Sequence, residues 1–255
     1  MLNIFIYIIA GLGAGVVTGL AGLSAASVIS PMLITILNFD PFVAIGVSLS
    51  SDVLASALSA ATYARHKHID VKGGLWLLIP AMVLTVGGCF VGYSAGSTIL
   101  GLVSCIFPIV LGARFIASRD AKPLPFAQKL SHNMRRVAAV FSGAAVGAIC
   151  GFSGAGGGMM MLILLTALLS YELKTAVGTS VFIMMFLALV GAISHFSMVG
   201  HIEWTAMIVC ALSALVGAFF ASRFANRVKP KTLNRCIGLC LVLLGLFLSL
   251  FKFVL

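Results

Sequence analysis

The stretch Gly151-Phe152-Ser153-Gly154-Ala155-Gly156-Gly157-Gly158 interrupts an apolar segment that is too long to be a single membrane helix. A related stretch, Gly22-Leu23-Ser24-Ala25-Ala26-Ser27, interrupts the apolar run over residues 2–37. At ~1.5 Å per residue that run would be about 54 Å long, whereas the hydrocarbon core of a bilayer is about 30 Å thick. Each run is therefore predicted to be two helical pieces joined at small residues, the first break (22–27) and the second break (151–158).

The composition is that of a helical membrane protein. Of the 255 residues, 61% are hydrophobic and 9% charged, and the mean hydropathy is +1.19. Soluble domains carry about a quarter charged residues, and this length allows about eight membrane segments of ~20 residues. The net charge of +10 fits the basic cytoplasmic loops of membrane proteins. No basic patch contains interleaved aromatic residues, so nucleic acid is not an expected partner.

The chemistry of catalysis and of metal binding has no clear sequence signal. The six cysteines lie in apolar segments without metal-ligand spacing, so neither a metal nor another cofactor is expected. The sequence contains no HExxH or GxSxG motif and no paired intramembrane acids, so no catalytic residue is expected either.

The two halves of the chain resemble each other. Gly22–Ser24 matches Gly151–Ser153, Ala44–Ser48 matches Ala176–Ser180, and His68–Asp70 matches His201–Glu203. We therefore predict repeat 1 over residues 1–117, a basic cytoplasmic linker over 118–136 and repeat 2 over 137–255. Each repeat is expected to have about four helical segments, about eight in total, and the first segment of each is broken or re-entrant. The unbroken segments are predicted near residues 42–64, 73–93, 97–117, 175–199, 203–225 and 232–253.

Loop charge predicts that the repeats have opposite orientations. Lys and Arg occur in residues 65–72 but not in the equivalent 196–203, and in residues 223–235 but not in the equivalent 93–98. Because basic loops lie in the cytoplasm, equivalent loops are expected on opposite sides of the membrane. The predicted fold class is an all-α polytopic membrane protein with two inverted-topology repeats and both termini outside.

Inverted repeats with broken helices are typical of secondary transporters, in which the N-termini of half-helices present free N–H groups to an anion. No Lys or Arg lies at a predicted helix centre, so N–H groups and hydroxyls would have to hold an anion. The candidate substrate-binding residues at the breaks are Ser24, Ser27, Ser153, Gly154, Gly156, Gly157 and Gly158. Alternatively, the glycines only permit close helix crossing, which is the interpretation we favour for Gly11, Gly15 and Gly19.

Hydroxyls and two titratable side chains outside the breaks are further candidates. Ser48, Thr179 and Ser180 would either coordinate an oxyanion or bond back to the preceding helical turn. Asp52 is the only acid deep inside a predicted helix, where it would couple transport to protons, cap a local break or bond across helices in its protonated form.

Three more titratable residues lie near predicted helix ends. His195 would either take part in coupling or lie at the membrane interface. Asp70 and Glu203 fall just before helices and are expected to be N-terminal caps.

The glycine-rich breaks, the element Ala176-Val177-Gly178-Thr179-Ser180 and the acid after each second helix resemble the sulfite exporter TauE/SafE family of bacterial membrane permeases. The resemblance covers essentially the whole sequence. It implies export of a small sulfur-containing anion, such as sulfite, sulfoacetate or a related sulfonate, across a bacterial or archaeal plasma membrane. The first break departs from the glycine-rich form, because Ala25-Ala26-Ser27-Val28 stands in place of Gly154-Ala155-Gly156-Gly157.

The functional prediction is thus a secondary transporter that works by alternating access, with protons as a candidate coupling ion. Its expected partners are a small anionic substrate and the lipid bilayer. An intramembrane enzyme and a membrane scaffold are the alternatives, and the sequence leaves the oligomeric state open.

Overall fold

The computed structural model describes residues 2–103, 106, 132–154, 157–200 and 202–229, together with 232, 233, 235, 236 and 239. Within these residues every regular element is a helix. Six of the helices are long and apolar enough to cross a membrane, as judged by length and composition. The predicted all-α polytopic class is confirmed.

The helices are α1 Leu2–Ala21, α2 Ala26–Leu37, α3 Pro41–Arg65, α4 Val71–Ala95, α5 His132–Ser153, α6 Gly157–Ile163, α7 Leu173–Val199 and α8 Trp204–Arg227. A π-helical turn, Leu164–Leu168, continues α6. Residues 97–103 and 106 are also helical. Most of the rest of the segment predicted over 97–117, and most of that predicted over 232–253, lies outside the described residues. Because α5 begins at His132, the last five residues of the predicted linker are helical, and its residues 118–131 are not described.

Carboxylates and prolines explain where several helices start. Asp40 Oδ1 accepts hydrogen bonds from the N–H groups of Phe42 (2.9 Å) and Val43 (3.3 Å), and Pro41 supplies the first residue of α3. Asp70 caps α4 by accepting from Gly73 N at 2.9 Å, as predicted. Glu203 occupies the N-cap position of α8, as predicted, but its side chain makes no cap hydrogen bond.

The helical bundle has two ends, which we call the Asp40 end and the Asp70 end. At the Asp40 end, the Ser97 hydroxyl donates to Asp40 Oδ2 at 2.8 Å. At the Asp70 end, Asp70 N donates to Thr179 Oγ1 at 3.1 Å and the Tyr171 hydroxyl donates to Asp70 Oδ2 at 2.6 Å. The α3–α4 connection, the start of α7 and the connection before it are therefore tied together by side-chain hydrogen bonds.

Small residues bring two pairs of parallel helices into backbone contact. A Cβ added at Gly11, Gly15 or Gly19 of α1 would overlap main-chain atoms of α8, near Cys210, Ala214, Ala218 and Ser222. A Cβ at Gly143, Gly147 or Gly151 of α5 would likewise overlap the backbone of α4 near Leu77, Ala81 and Thr85. Small residues spaced by four allow such close crossing, so the packing role favoured for the α1 glycines is confirmed.

Candidate substrate-binding site at the helix breaks

The first break is a short non-helical connection over residues 22–25 between α1 and α2. Gly22 has a φ of 68°, a conformation that glycine adopts without a Cβ penalty. Ser24 Oγ accepts a hydrogen bond from Ala26 N at 3.2 Å, and the Ser27 hydroxyl donates to Ser24 O at 2.7 Å. Both serines are buried, so these local bonds partner hydroxyls that water does not reach.

The second break begins three residues later than the sequence pattern indicates, because α5 remains helical through Ser153. Gly154 has a φ of 67°, and its N–H donates to Cys150 O at 2.8 Å, just as Gly22 N donates to Thr18 O at 2.9 Å. The structure therefore pairs Gly22 with Gly154 and not with Gly151. This pairing has the same 132-residue offset that relates Ala44–Ser48 to Ala176–Ser180.

The remaining candidates in the second break have different surroundings. The Ser153 hydroxyl donates to Ile149 O at 3.0 Å within its own helix. A Cβ on Gly157 would meet the Cys150 side chain, with Sγ 3.0 Å away. Gly156 lies outside the described residues.

The two breaks contact each other. Gly158, at the start of α6, lies so close to Leu23 and Ser24 that a Cβ would overlap their main-chain atoms. Ser180 of α7 lies at the same junction, where its hydroxyl donates to Gly22 O at 2.8 Å and lies 3.5 Å from Gly158 O. Ser24, Gly22, Gly158 and Ser180 thus form one buried junction, which we call the break junction.

Asp52 lies beside the break junction and is wholly buried. Its Oδ1 accepts from the Ser56 hydroxyl at 2.8 Å, and the Ser24 hydroxyl and the Ala25 N–H also face this carboxylate. Among the described residues, its Oδ2 has no hydrogen-bond partner. An acid in the middle of a membrane-spanning helix with one unpartnered oxygen is a costly arrangement that favours a functional role.

Two of the other predicted hydroxyls are engaged in hydrogen bonds that hold the fold together. Ser48 donates to Ala44 O at 2.6 Å and accepts from the Ser30 hydroxyl at 2.9 Å, which joins α2 to α3. Thr179 Oγ1 accepts from Asp70 N and therefore holds the α3–α4 connection. Of the candidates outside the breaks, Ser180 and Asp52 are brought to the junction, whereas Thr179 faces the Asp70 end.

His195 lies far from the break junction. It is 15 residues beyond Ser180 on α7, which is about 22 Å along a helix. Its ring stacks on Phe42 with centroids 4.1 Å apart, and its Nδ1 donates to Gly191 O at 2.9 Å and lies 3.4 Å from Cys89 Sγ. His195 is wholly buried, so it is a packed residue near the Asp40 end and does not line the junction.

The sequence interpretation overlooked three polar residues that lie beside candidate site residues. Ser56 follows Asp52 by four positions, so helical spacing alone would have placed its hydroxyl beside the carboxylate. Ser30 meets Ser48 across two helices, and Cys150 lies near Asp52, but neither contact has a local sequence signal.

The chemistry at the break junction is that of hydroxyls, main-chain groups and one carboxylate. The described Lys and Arg residues lie at the helix ends and in the connections, and no metal-binding group of His, Cys, Asp or Glu occurs among the described residues. N–H and O–H donors, together with helix dipoles, are the groups by which a protein holds an anion without a cationic side chain.

These features define a polytopic helical membrane protein with a polar junction between two broken helices. The family of the sulfite exporter TauE/SafE matches residues 7–248, and the protein belongs to that family.

Several relatives are similar over almost their whole length. The probable membrane transporter protein YunE of Bacillus subtilis is 27% identical over 96% of this protein and 96% of its own length. The probable membrane transporter protein YjnA of the same organism is 24% identical over 94% of this protein and 97% of its own length. The probable membrane transporter protein MJ0441 of Methanocaldococcus jannaschii is 24% identical over 95% and 94%. No solved structure matches. Family and relatives together support a membrane transporter, which is consistent with the expectation that the protein is not an enzyme.

Proposed function

We propose that this protein is a secondary transporter that exports a small sulfur-containing anion, such as sulfite, sulfoacetate or a related sulfonate, by alternating access. The observation that carries the proposal is the contact between the two breaks beside the buried Asp52. Two helix interruptions that meet in the interior of a membrane protein cost folding free energy, because they place non-helical backbone at membrane depth. Such interruptions are expected where they form a binding site. The choice of anion follows from the family.

The proposal includes two inverted repeats, 1–117 and 137–255, although helix α5 of the second starts within the predicted linker. Helix α1 lies parallel to α8, and α5 lies parallel to α4, through equivalent glycine contacts. Tyr7 near the start of α1 packs on Phe39 at the Asp40 end, with ring centroids 6.3 Å apart. The start of α5 lies instead beside the start of α4, at the Asp70 end. Equivalent helices that begin at opposite ends of the bundle support an inverted arrangement of about eight segments.

The loop charges support a cytoplasmic position for the Asp70 end. Residues 65–72 carry Arg65, Lys67 and Lys72, and α8 ends in the same region, because His68 Nδ1 lies 2.8 Å from Asn226 Oδ1. Basic residues concentrate on the cytoplasmic side of the plasma membrane. We therefore propose that the Asp40 end and both termini face outward.

In the proposed mechanism the anion binds at the break junction, where α2 begins. The Ala25 N–H and the Ser24 hydroxyl would donate to its oxygens, as would the Ser180 hydroxyl once it leaves the Gly22 carbonyl. Asp52 already faces two of these donors, the Ser24 hydroxyl and the Ala25 N–H. A carboxylate and a substrate anion would therefore compete for the same donors.

That competition gives a physical reason for coupling to protons. Two negative charges a few ångströms apart in a poorly solvated interior repel each other strongly. Binding of the anion therefore favours the neutral form of Asp52, which then donates a hydrogen bond instead of competing for one. The anion and one proton would bind together and leave together.

The packing of the junction fits a transporter that must change shape to load and unload. Ser24, Ser27, Ser180 and Asp52 are all wholly buried. An anion reaches such a junction only if the helices on one side move apart, and alternating access requires opening from each side in turn.

The experiment that tests this function is a flux measurement on the purified full-length protein in proteoliposomes. We expect vesicles loaded with sulfite to release it faster than protein-free vesicles, and sulfoacetate to compete with it. An anion outside the class, such as a dicarboxylate, serves as the control substrate. Release that is no faster than from empty liposomes, or equal for the dicarboxylate, would contradict the proposal.

A further inference from the structure

A cleft with three cations lies at the Asp70 end, between the first turns of α4 and α5. It has a volume of about 400 Å³, and its lining includes Lys72, Trp76, Arg135, Arg136 and Tyr171; we call it the Arg135 cleft. It lies apart from the break junction, and neither the family match nor the names of the relatives assigns it a role.

The cleft carries excess positive charge. Asp70 is the one carboxylate among its lining residues, and it is already engaged, since its Oδ1 caps α4 and its Oδ2 accepts from the Tyr171 hydroxyl. Burial, followed by the hydrogen bond and the charge of Asp70, raises the pKa of Tyr171, while Arg135 acts in the opposite direction. Tyr171 therefore stays a neutral phenol, and three cations face one negative charge.

One arginine is held in place on an aromatic ring at the rim of the cleft. The guanidinium carbon of Arg136 lies 5.4 Å from the ring centroid of Trp76, a cation–π geometry. Trp76 is 46% exposed, and tryptophan is enriched where the hydrocarbon core of a membrane meets its headgroups. The cleft is therefore expected at headgroup depth.

The surface beside the cleft is apolar and faces away from the bundle. On α4, Lys72 and Trp76 continue into Ile79 and Val83 on the same helical face, and these two are 65% and 64% exposed. The distance from Lys72 to Val83 is about 16 Å along the helix, about half of a ~30 Å hydrocarbon core. The acyl tails of one leaflet match that length.

We propose that the Arg135 cleft binds the headgroup phosphate of an anionic phospholipid, whose acyl tails lie along the apolar face of α4. The guanidinium groups of Arg135 and Arg136 have the geometry to donate paired hydrogen bonds to phosphate oxygens. Lys72 adds a third positive charge, and Trp76 lies at the boundary between the headgroup and the acyl tails. Continuity of the basic cleft with the apolar face favours a lipid over a soluble anion, because a free anion gains nothing from that face.

The test is native mass spectrometry of the full-length protein released from nanodiscs that contain equal amounts of phosphatidylglycerol and phosphatidylcholine. We expect wild type to retain phosphatidylglycerol preferentially. The double variant Arg135→Gln/Arg136→Gln should lose about tenfold to thirtyfold of that preference, the size expected when two cations leave a membrane surface. The matched control is Arg223→Gln, since Arg223 also stacks on an aromatic ring, Phe219, at 3.9 Å but lies outside the cleft.

Three results would overturn the proposal: equal retention of both lipids by wild type, an equal loss in Arg223→Gln, or full displacement of the lipid by millimolar glycerol phosphate. The last would mean that the cleft holds a soluble phosphate. If the double variant does not fold, Lys72→Gln on the exposed first turn of α4 replaces it, with an expected loss of about fivefold. Retention unchanged in Lys72→Gln would also count against the proposal. None of these measurements depends on transport.

Discussion

Replacing Gly158 by alanine tests the contact between the two breaks more directly than any other single change. The added Cβ would lie 2.7 Å from both the carbonyl carbon and the Cα of Leu23, and closer still to Ser24 N. These are backbone atoms of another segment, which cannot turn aside as a flexible side-chain end can. Ordinary contact begins near 3.4 Å, so the breaks must separate by at least about 0.7 Å to accept a single methyl group.

Two opposing effects set the size of the change. Overpacking of a close contact typically costs about 1–3 kcal/mol, whereas alanine gains up to about 1 kcal/mol over glycine inside a helix. Gly158 is only the second residue of α6, so most of that gain is not realised and the cost dominates. We expect a net loss of about 1–2 kcal/mol, which lowers the equilibrium constant for closing the junction about fivefold to thirtyfold.

Sulfite release from proteoliposomes and thermal unfolding in detergent are the measurements. We expect Gly158→Ala to melt about 3–6 °C lower than wild type and to transport more slowly at equal amounts of folded protein. The matched control is Gly87→Ala on α4, where a Cβ meets nothing within 4 Å, so this variant should melt at the wild-type temperature or higher. If Gly158→Ala behaved like Gly87→Ala in both measurements, the contact between the breaks would not be required for stability or transport, and the reasoning would be refuted.

Three further predictions concern single residues. In Asp52→Asn, sulfite transport should lose the pH dependence of wild type, because the coupling proton has no carrier. The control Glu172→Gln, at the exposed start of α7, should keep that pH dependence. A wild-type pH profile in Asp52→Asn would contradict the coupling role. Ser180→Ala should destabilise the protein by about 1–3 kcal/mol by leaving the buried Gly22 carbonyl unpaired, whereas Ser197→Ala at an exposed site should cost under ~0.5 kcal/mol, as compared by thermal unfolding. A cysteine at His66 should react with an impermeant maleimide only from the cytoplasm and a cysteine at Ser197 only from outside; labelling of both from one side would refute the inverted arrangement.

The helices were well predicted from the sequence because a lipid bilayer permits few other secondary structures in a spanning segment. With 61% hydrophobic residues, backbone groups at membrane depth must be satisfied within helices, and segment length then reveals where a helix must break. The observed α3 and α7 begin and end within two residues of the predicted 42–64 and 175–199. Which residues of the two breaks are equivalent was harder to predict, because each run contains several glycines. The positive φ of Gly22 and Gly154 identifies the equivalent pair.

The candidate site was harder to predict, because contacts between helices cannot be inferred from the residue spacing within one helix. Ser180 and Thr179 are neighbours with similar side chains, yet Ser180 reaches the Gly22 carbonyl and Thr179 faces Asp70. Consecutive helical residues point about 100° apart, and no sequence rule says which direction faces the other half. His195 illustrates the same point, because its place against Phe42 follows from how α3 and α7 pack.

The offset of 132 residues also separates what the two halves share from what they do not. At that offset the backbone features agree, since Gly22 corresponds to Gly154 and Ser48 to Ser180. The polar chemistry of α3 does not recur: Asp52 corresponds to Met184, and both are wholly buried. The break junction therefore combines a symmetric backbone with an asymmetric charge. In the proposed mechanism, the junction would open toward either side through similar movements and would offer the coupling proton one carboxylate in both states. The proposal therefore predicts at most one proton carried at this junction in each cycle.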